Sequence, residues 1–219
     1  IARLGVARTF QIVQPFAALS VRENIAVGSH LRHAGRADAL DAASAVGESV
    51  GLGGQLDKSA SVLTVAGRKR LELARALAIE PRLLLLDEVL AGLNPSEVRD
   101  MVPVVRAIGA RGVTILMIEH VMQAVMNLAE HVWVLAQGKL IAEGSPSQVT
   151  QNAQVIEAYL GHGTAARLRD DILKERAGDV AIEQPIPILG EGRRRPHGVV
   201  HAQADEPPKQ QVVVELLHE

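Results

Sequence analysis

The chain has 219 residues, a formal net charge of -2, 47% hydrophobic and 2% aromatic residues, and no cysteine. That balance excludes a chain disordered throughout and a nonspecific nucleic-acid binder, while the cysteine count excludes disulfides and thiolate metal sites and fits a reducing compartment. No apolar run approaches the roughly 20 residues that span a bilayer, so any membrane link runs through a partner, and a start at Ile1 without a basic-then-apolar leader reads as that of a fragment.

Ile1 to Phe10 carries Arg3 and Arg8 among apolar residues, and Gln11 opens a short polar loop to Pro15. Ser20-Val21-Arg22-Glu23 has the capping-box spacing, so a helix is expected from about Val21 to Leu31. Gly35 and Arg36 interrupt it, and an Ala-rich helical stretch follows from about Ala37 to Val50, before Gly51, Gly53 and Gly54. Both helices have modest apolar faces, which suits a helical subdomain over residues 16–62 packed on something else. Thr64 then caps a helix on which Leu71, Ala74, Leu77 and Ala78 share one face, with Arg68, Lys69, Arg70 and Arg75 elsewhere on it and Pro81 as the stop.

Leu83-Leu84-Leu85-Leu86 is an apolar run ending in Asp87-Glu88, the pattern of a strand buried on both faces in a parallel sheet. Asn94 as N-cap, Pro95 at the first helical position and Glu97 at the third start a helix with Val98, Met101, Val102 and Val105 on one face. Pro103 inside it is expected to kink or shorten it. Val113 to Ile118 repeats the apolar run and ends in Glu119-His120, followed by a helix with Val121, Ala124, Val125 and Leu128, so strand and helix alternate as in βαβ units. His131–Ala136 and Lys139–Glu143, joined by Gln137-Gly138, form a hairpin. Ser145 caps a short helix, and Asn152 to Leu160 is the last element of the globular unit.

Past Gly161 the composition shifts. Ala165 to Ala177 fits a charged helix, whereas Gln184 to Pro208 holds five prolines and Arg193-Arg194-Arg195 with no apolar periodicity, which reads as a flexible tail. The basic triplet is either a solvated run or a contact for phosphate or acidic lipid.

In open α/β sheets ligands bind at the C-terminal strand ends, where Asp87 suits a hard cation such as Mg²⁺ and Glu88 can orient or deprotonate a water. The same two acids also fit a buried strand ending in a solvated loop. A metal site from Glu119, His120 and His131 is disfavoured, because the separation of the histidines matches no compact ligand spacing.

Thr9-Phe10-Gln11, Leu63 to Leu77, Leu83 to Pro95 and Glu119-His120 resemble, in order and spacing, the glutamine loop, signature helix, acidic strand with its D-loop, and histidine switch of an ATP-binding-cassette (ABC) ATPase. The wording of Ala2 to Gln11, Leu71 to Leu77, Ala91 to Pro95 and Val155 to Gly161 is similar to that of ATPase subunits of branched-chain amino acid importers. The resemblance covers residues 1–161 and implies an α/β, P-loop NTPase-like ABC ATPase domain, N-terminally truncated, with a helical subdomain and a tail over 162–219. It implies that Asp87 and Gln11 hold Mg²⁺, that Glu88 polarises the attacking water, and that His120 contacts the γ-phosphate of ATP. Thr64, Val65, Ala66, Gly67 and Asn94 would bind nucleotide in the site of a second ABC ATPase subunit. The other implied partners are transmembrane permease subunits, with the chain on the cytoplasmic side of the plasma membrane and no role for nucleic acid.

Two residues depart from the pattern: Ala66 stands where the family has glycine, and Val89 where it has proline. Ala66 puts a methyl where backbone must approach phosphate, and Gly67 restores that approach only by a shift of register. No G-x-x-x-x-G-K-[ST] phosphate loop occurs; in the family it lies upstream of where this chain starts. Charge-assisted hydrogen bonds contribute roughly 1.5 to 3 kcal/mol each, so losing three costs on the order of 5 to 9 kcal/mol. That is about three to six orders of magnitude in affinity, and these 219 residues alone are expected not to bind ATP usefully. The leading expectation is thus an ATP-hydrolysing importer subunit; the alternative is an inactive fragment or noncatalytic partner subunit.

Overall fold

The computed structural model describes residues 1–160 and 211–217. A short 3-10 turn leads into β1 (Val6–Arg8), followed by α1 (Val21–Ser29), α2 (Arg36–Ser49), α3 (Val65–Leu77), β2 (Leu83–Asp87) and α4 (Pro95–Ala110). The chain continues through β3 (Thr114–Ile118), α5 (Met122–Leu128), β4 (His131–Ala136), β5 (Lys139–Gly144), α6 (Pro146–Thr150) and α7 (Ala153–Leu160), and β6 is Gln211–Leu217.

The described strands form one sheet in the order β1-β2-β3-β6-β4-β5, parallel except for β5. Leu84, Leu86, Ile115, Met117, Val132 and Val134 are buried on one face. Leu83 and Leu85 are only half-buried, so the expectation of a strand buried on both faces holds for one face of β2. Neither the three-residue β1 nor β6 was expected. The first is too short to show a period, and the second lies in the segment read as tail, yet pairs with both β3 and β4. The charged stretch 165–177, the proline-rich run 184–208 and Arg193 to Arg195 lie outside the described residues.

Local chemistry accounts for the element ends. Complete capping boxes open α1 at Ser20/Glu23, α4 at Asn94/Glu97 and α6 at Ser145/Gln148, each satisfying otherwise orphaned amides. Gln137 and Gly138 both take positive φ, as the tight hairpin between β4 and β5 requires. α4 runs through Pro103 to Ala110 and is not shortened, which corrects that part of the expectation. Pro103 and Arg99, whose carbonyl loses its helical partner, are both exposed, so water can replace the missing bond.

α1, α2 and α3 pack on one another, with Val21, Ile25, Ala39, Ala43 and Leu71 fully buried between them. Asn24 is buried and stitches the preceding loop to α1: its Oδ1 accepts from Phe16 N at 2.8 Å, and its Nδ2 donates to Phe16 O at 3.0 Å and Ser20 O at 2.9 Å. This cluster carries α3, and with it one wall of the site, against β1.

Candidate functional site at the C-terminal edge of the sheet

β1, β2 and β3 end side by side, in a register that pairs Arg8 with Leu85 and Asp87 with Ile118. Their last residues therefore meet at one edge. Thr9 is buried; its amide donates to Leu85 O at 2.9 Å, and its Oγ1 accepts from the Asp87 amide at 3.1 Å. Arg8 donates to Asp87 Oδ2 at 2.8 Å while its guanidinium lies 5.4 Å from the centroid of the Phe10 ring. The Arg8 side chain is 56% exposed, so this pair contributes at most about 1 kcal/mol and is readily exchanged for another charge.

Glu88 leaves the strand in the left-handed region, φ 46°, a conformation that costs a non-glycine residue about 1 kcal/mol or more. Its amide donates to Ile118 O at 3.0 Å, which ties the turn to β3. Its Oε2 accepts from Gln11 Nε2, so the loop after β1 and the end of β2 touch through side chains. Beneath them Lys69, 6% exposed, donates to Gln11 O at 3.0 Å and to Glu88 O at 2.9 Å. Burial pushes the Lys69 ammonium below the usual lysine range, opposed by the charges of Glu119, Glu88, Asp87 and Glu72.

Glu119, at the end of β3, is fully buried. Its Oε1 accepts from Leu90 N at 2.8 Å, fastening the loop after β2 to β3, while Oε2 has no hydrogen-bond partner among the described residues. Burial raises its carboxyl above the ordinary range, and the Leu90 amide and His120 oppose that shift. His120 follows it on the exposed side of the edge. A groove of ≈ 540 Å³ opens beside the cluster, lined by Arg8, Phe10, Gln11, Ile12, Gln14, Glu72, Arg75 and Asp87. Glu72 pairs with Arg75 at 3.0 Å, and burial raises its carboxyl as well, with Arg75 opposing.

The fold thus brings Gln11, Asp87 and Glu88 together and sets Glu119-His120 on the adjoining strand end. The remaining candidates lie at helix starts. Thr64 Oγ1 caps α3 by accepting from Gly67 N at 3.1 Å, and Asn94 caps α4. Thr64 and Val65 are exposed and Ala66 is half-buried, whereas Gly67 faces inward, where an added Cβ would come within 3.3 Å of Leu63. Gly67 therefore does not present open backbone in place of Ala66.

Four residues of the cluster carry contacts that sequence reasoning did not assign: Arg8, Thr9, Lys69 and the buried carboxylate of Glu119. Lys69 was expected away from the apolar face of its helix and is instead buried. The available signal was helical spacing, because Lys69, Glu72, Leu73 and Ala76 fall at i, i+3, i+4 and i+7 and are all buried.

A parallel sheet with an acidic strand end between a glutamine loop and a histidine edge defines the class as an ABC ATPase domain. The ABC transporter family model matches residues 1–91, and that for the branched-chain amino acid ATP-binding cassette transporter matches residues 139–165. The chain is 37% identical over 177 residues to the high-affinity branched-chain amino acid transport ATP-binding protein LivG of Escherichia coli K12, covering 74% of this chain and 69% of that one. It is 39% identical over 178 residues to BraF of Pseudomonas aeruginosa, a protein described in the same words, again covering 74% and 69%. A crystal structure of the ADP conformation of an ATP-binding cassette of an ABC transporter superposes with TM-score 0.64 at 29% identity, covering 74% of this chain and 70% of that one. The chain belongs to the ATP-binding subunits of ABC transporters, of the branched-chain amino acid type, a family of ATPases.

Proposed function

We propose that this chain supplies ATP-hydrolysing residues of an ABC importer that energises uptake of branched-chain amino acids across the plasma membrane. One observation carries the catalytic part: Gln11 and Glu88 are in side-chain contact beside Asp87, at the sheet edge where nucleotide would meet water. The nature of the solute rests on the names of the relatives. Residues 1–161 are the ABC ATPase part, with 16–62 as its helical subdomain, and β6 adds a strand to its sheet from beyond that boundary.

Glu88 Oε2 is held by the Gln11 amide, which leaves Oε1 to orient a water and take its proton. His120 sits on the next strand end, within the same edge, and would steady the γ-phosphate oxygens. Asp87 and Gln11 offer oxygen donors of the kind Mg²⁺ prefers, and that ion is commonly held by one or two protein oxygens with water and phosphate completing its shell. The donor set fits, since the exposed pairing with Arg8 is a weak competitor for Asp87. Bound there, Mg²⁺ would supply charge neutralisation at the phosphate oxygens. Thr64, Val65, Ala66, Gly67 and Asn94 belong to the starts of α3 and α4 and would complete the site of a second ABC ATPase subunit, although the capping interactions already take the amides of Gly67, Asn94, Ser96 and Glu97.

Permease subunits would be the route to the membrane, with the chain on its cytoplasmic side, a reading supported by the transport role in the relatives' names; no described helix is long and apolar enough to cross a membrane. In a full-length version that carries the phosphate loop and is assembled with its permease, Glu88→Gln is expected to lower MgATP turnover about 10²- to 10⁴-fold while leaving nucleotide affinity within about twofold. Turnover at the wild-type rate would remove Glu88 from the chemistry.

A further inference from the structure

We propose that Lys69 is a positioning residue for the reaction, clamping the Gln11 loop and the Glu88 turn to α3, the helix that begins at Thr64. The ammonium is buried at a point where it must be compensated by oxygen, and it is compensated by backbone carbonyls of two different segments, Gln11 O at 3.0 Å and Glu88 O at 2.9 Å. Those same residues meet again through Gln11 Nε2 and Glu88 Oε2, so the three form a closed ring.

The Glu88 carbonyl also accepts from Ala91 N at 3.1 Å, and the residue holds a positive φ that a free turn would relax. A strained backbone persists only where its surroundings over-determine it, and Lys69 is one of the surrounding contacts. Lysine suits this place because three donors on one nitrogen reach carbonyls that lie in different directions, which a planar guanidinium does less well. Thr64 lies five residues before Lys69, about 7.5 Å along the helix axis, so one rigid helix joins the signature start to the seat of the base. A shift of α3 would then move Glu88 and Gln11 together.

The inference rests on the reading of Glu88 as the base, and two independent measurements separate them. The first needs no nucleotide: hydrogen exchange of the full chain, read on peptides covering residues 9–14 and 87–92. Lys69→Met keeps the stem and removes the donors. It is expected to speed exchange in both segments by about tenfold or more, with α1 and α2 within about twofold of wild type, and Lys69→Arg is expected to restore part of the protection. If Lys69→Met speeds exchange everywhere, Lys69→Gln, which keeps one donor, is read on the same peptides.

Unchanged exchange in either segment, or global loosening in both the Met and Gln variants, overturns the clamp and leaves Lys69 a core cation. The second measurement is turnover in the assembled transporter, where Lys69→Met is expected to lower kcat about tenfold or more with KM within about threefold, and Lys69→Arg to recover it in part. A wild-type kcat in Lys69→Met overturns the positioning role. Wild-type turnover in Glu88→Gln beside a slowed Lys69→Met would instead refute the role of Glu88 and keep the clamp.

Discussion

Gly28→Ala tests how α3 is seated. Gly28 lies in the last turn of α1, and a Cβ there would stand 2.7 Å from Arg75 O, 3.0 Å from Ala78 Cβ and 3.5 Å from Ile79 Cγ2. The nearest of these is backbone, so relief requires α1 and α3 to separate by about 0.5 Å or more to regain ordinary contact. Overpacking of that kind costs about 1 to 3 kcal/mol. Replacing a helical glycine offsets part of it, by about 0.5 to 1 kcal/mol, and less near a helix end. A net loss of about 1 to 2 kcal/mol is expected, seen as a lower urea midpoint with unchanged slope in far-UV circular dichroism. Gly47→Ala is the internal control: its Cβ would approach Leu56 Cδ2 at 2.5 Å and Ile25 Cδ1 at 3.2 Å, the movable ends of side chains. It should cost less. A Gly28→Ala protein as stable as wild type, or a larger loss at Gly47, would refute the reasoning that backbone contact sets the helix spacing.

Asn94→Ala removes the acceptor of the Ser96 and Glu97 amides, at 2.9 and 3.0 Å, and is expected to cost about 1 kcal/mol in the same titration. Arg8→Ala, by contrast, should change stability by no more than about 1 kcal/mol, because its pair with Asp87 is solvent-exposed; a larger loss by the same measurement would give that pair a structural role. Glu119→Gln probes the buried carboxylate. Its folded carboxyl is raised by burial, so the folded chain binds the proton more tightly than the unfolded one. Stability from this group is therefore lost as pH rises from the ordinary carboxylate range through the raised one. The amide keeps the acceptor for Leu90 N and removes the charge, so urea midpoints of the variant should fall less than those of wild type as pH rises above the ordinary carboxylate range. Parallel curves would show that Glu119 does not titrate differently in the fold.

The sequence by itself determined the elements whose causes are local. Ser20, Thr64, Asn94 and Ser145 cap helices through amides two or three residues away, Gln137-Gly138 turns a hairpin, and the apolar runs of β2 and β3 end in the acids and imidazole of the site. Because two such strands separated by a helix lie parallel, the sequence already places Asp87, Glu88 and His120 at one edge, and the family resemblance adds Gln11. Tertiary structure alone decided the contacts that span the chain. Arg8 reaches Asp87 and Thr9 ties down its amide across 79 and 78 residues, and Lys69 reaches Gln11 across 58. β1 exists because β2 offers it a partner, and β6 because β3 and β4 leave a place between them. Caps and periodicity arise within one or two turns and leave a mark on neighbouring residues. A buried charge is tolerated only where distant carbonyls converge on it, so the depth of Lys69 becomes visible once the loop, the turn and the helix have been brought together.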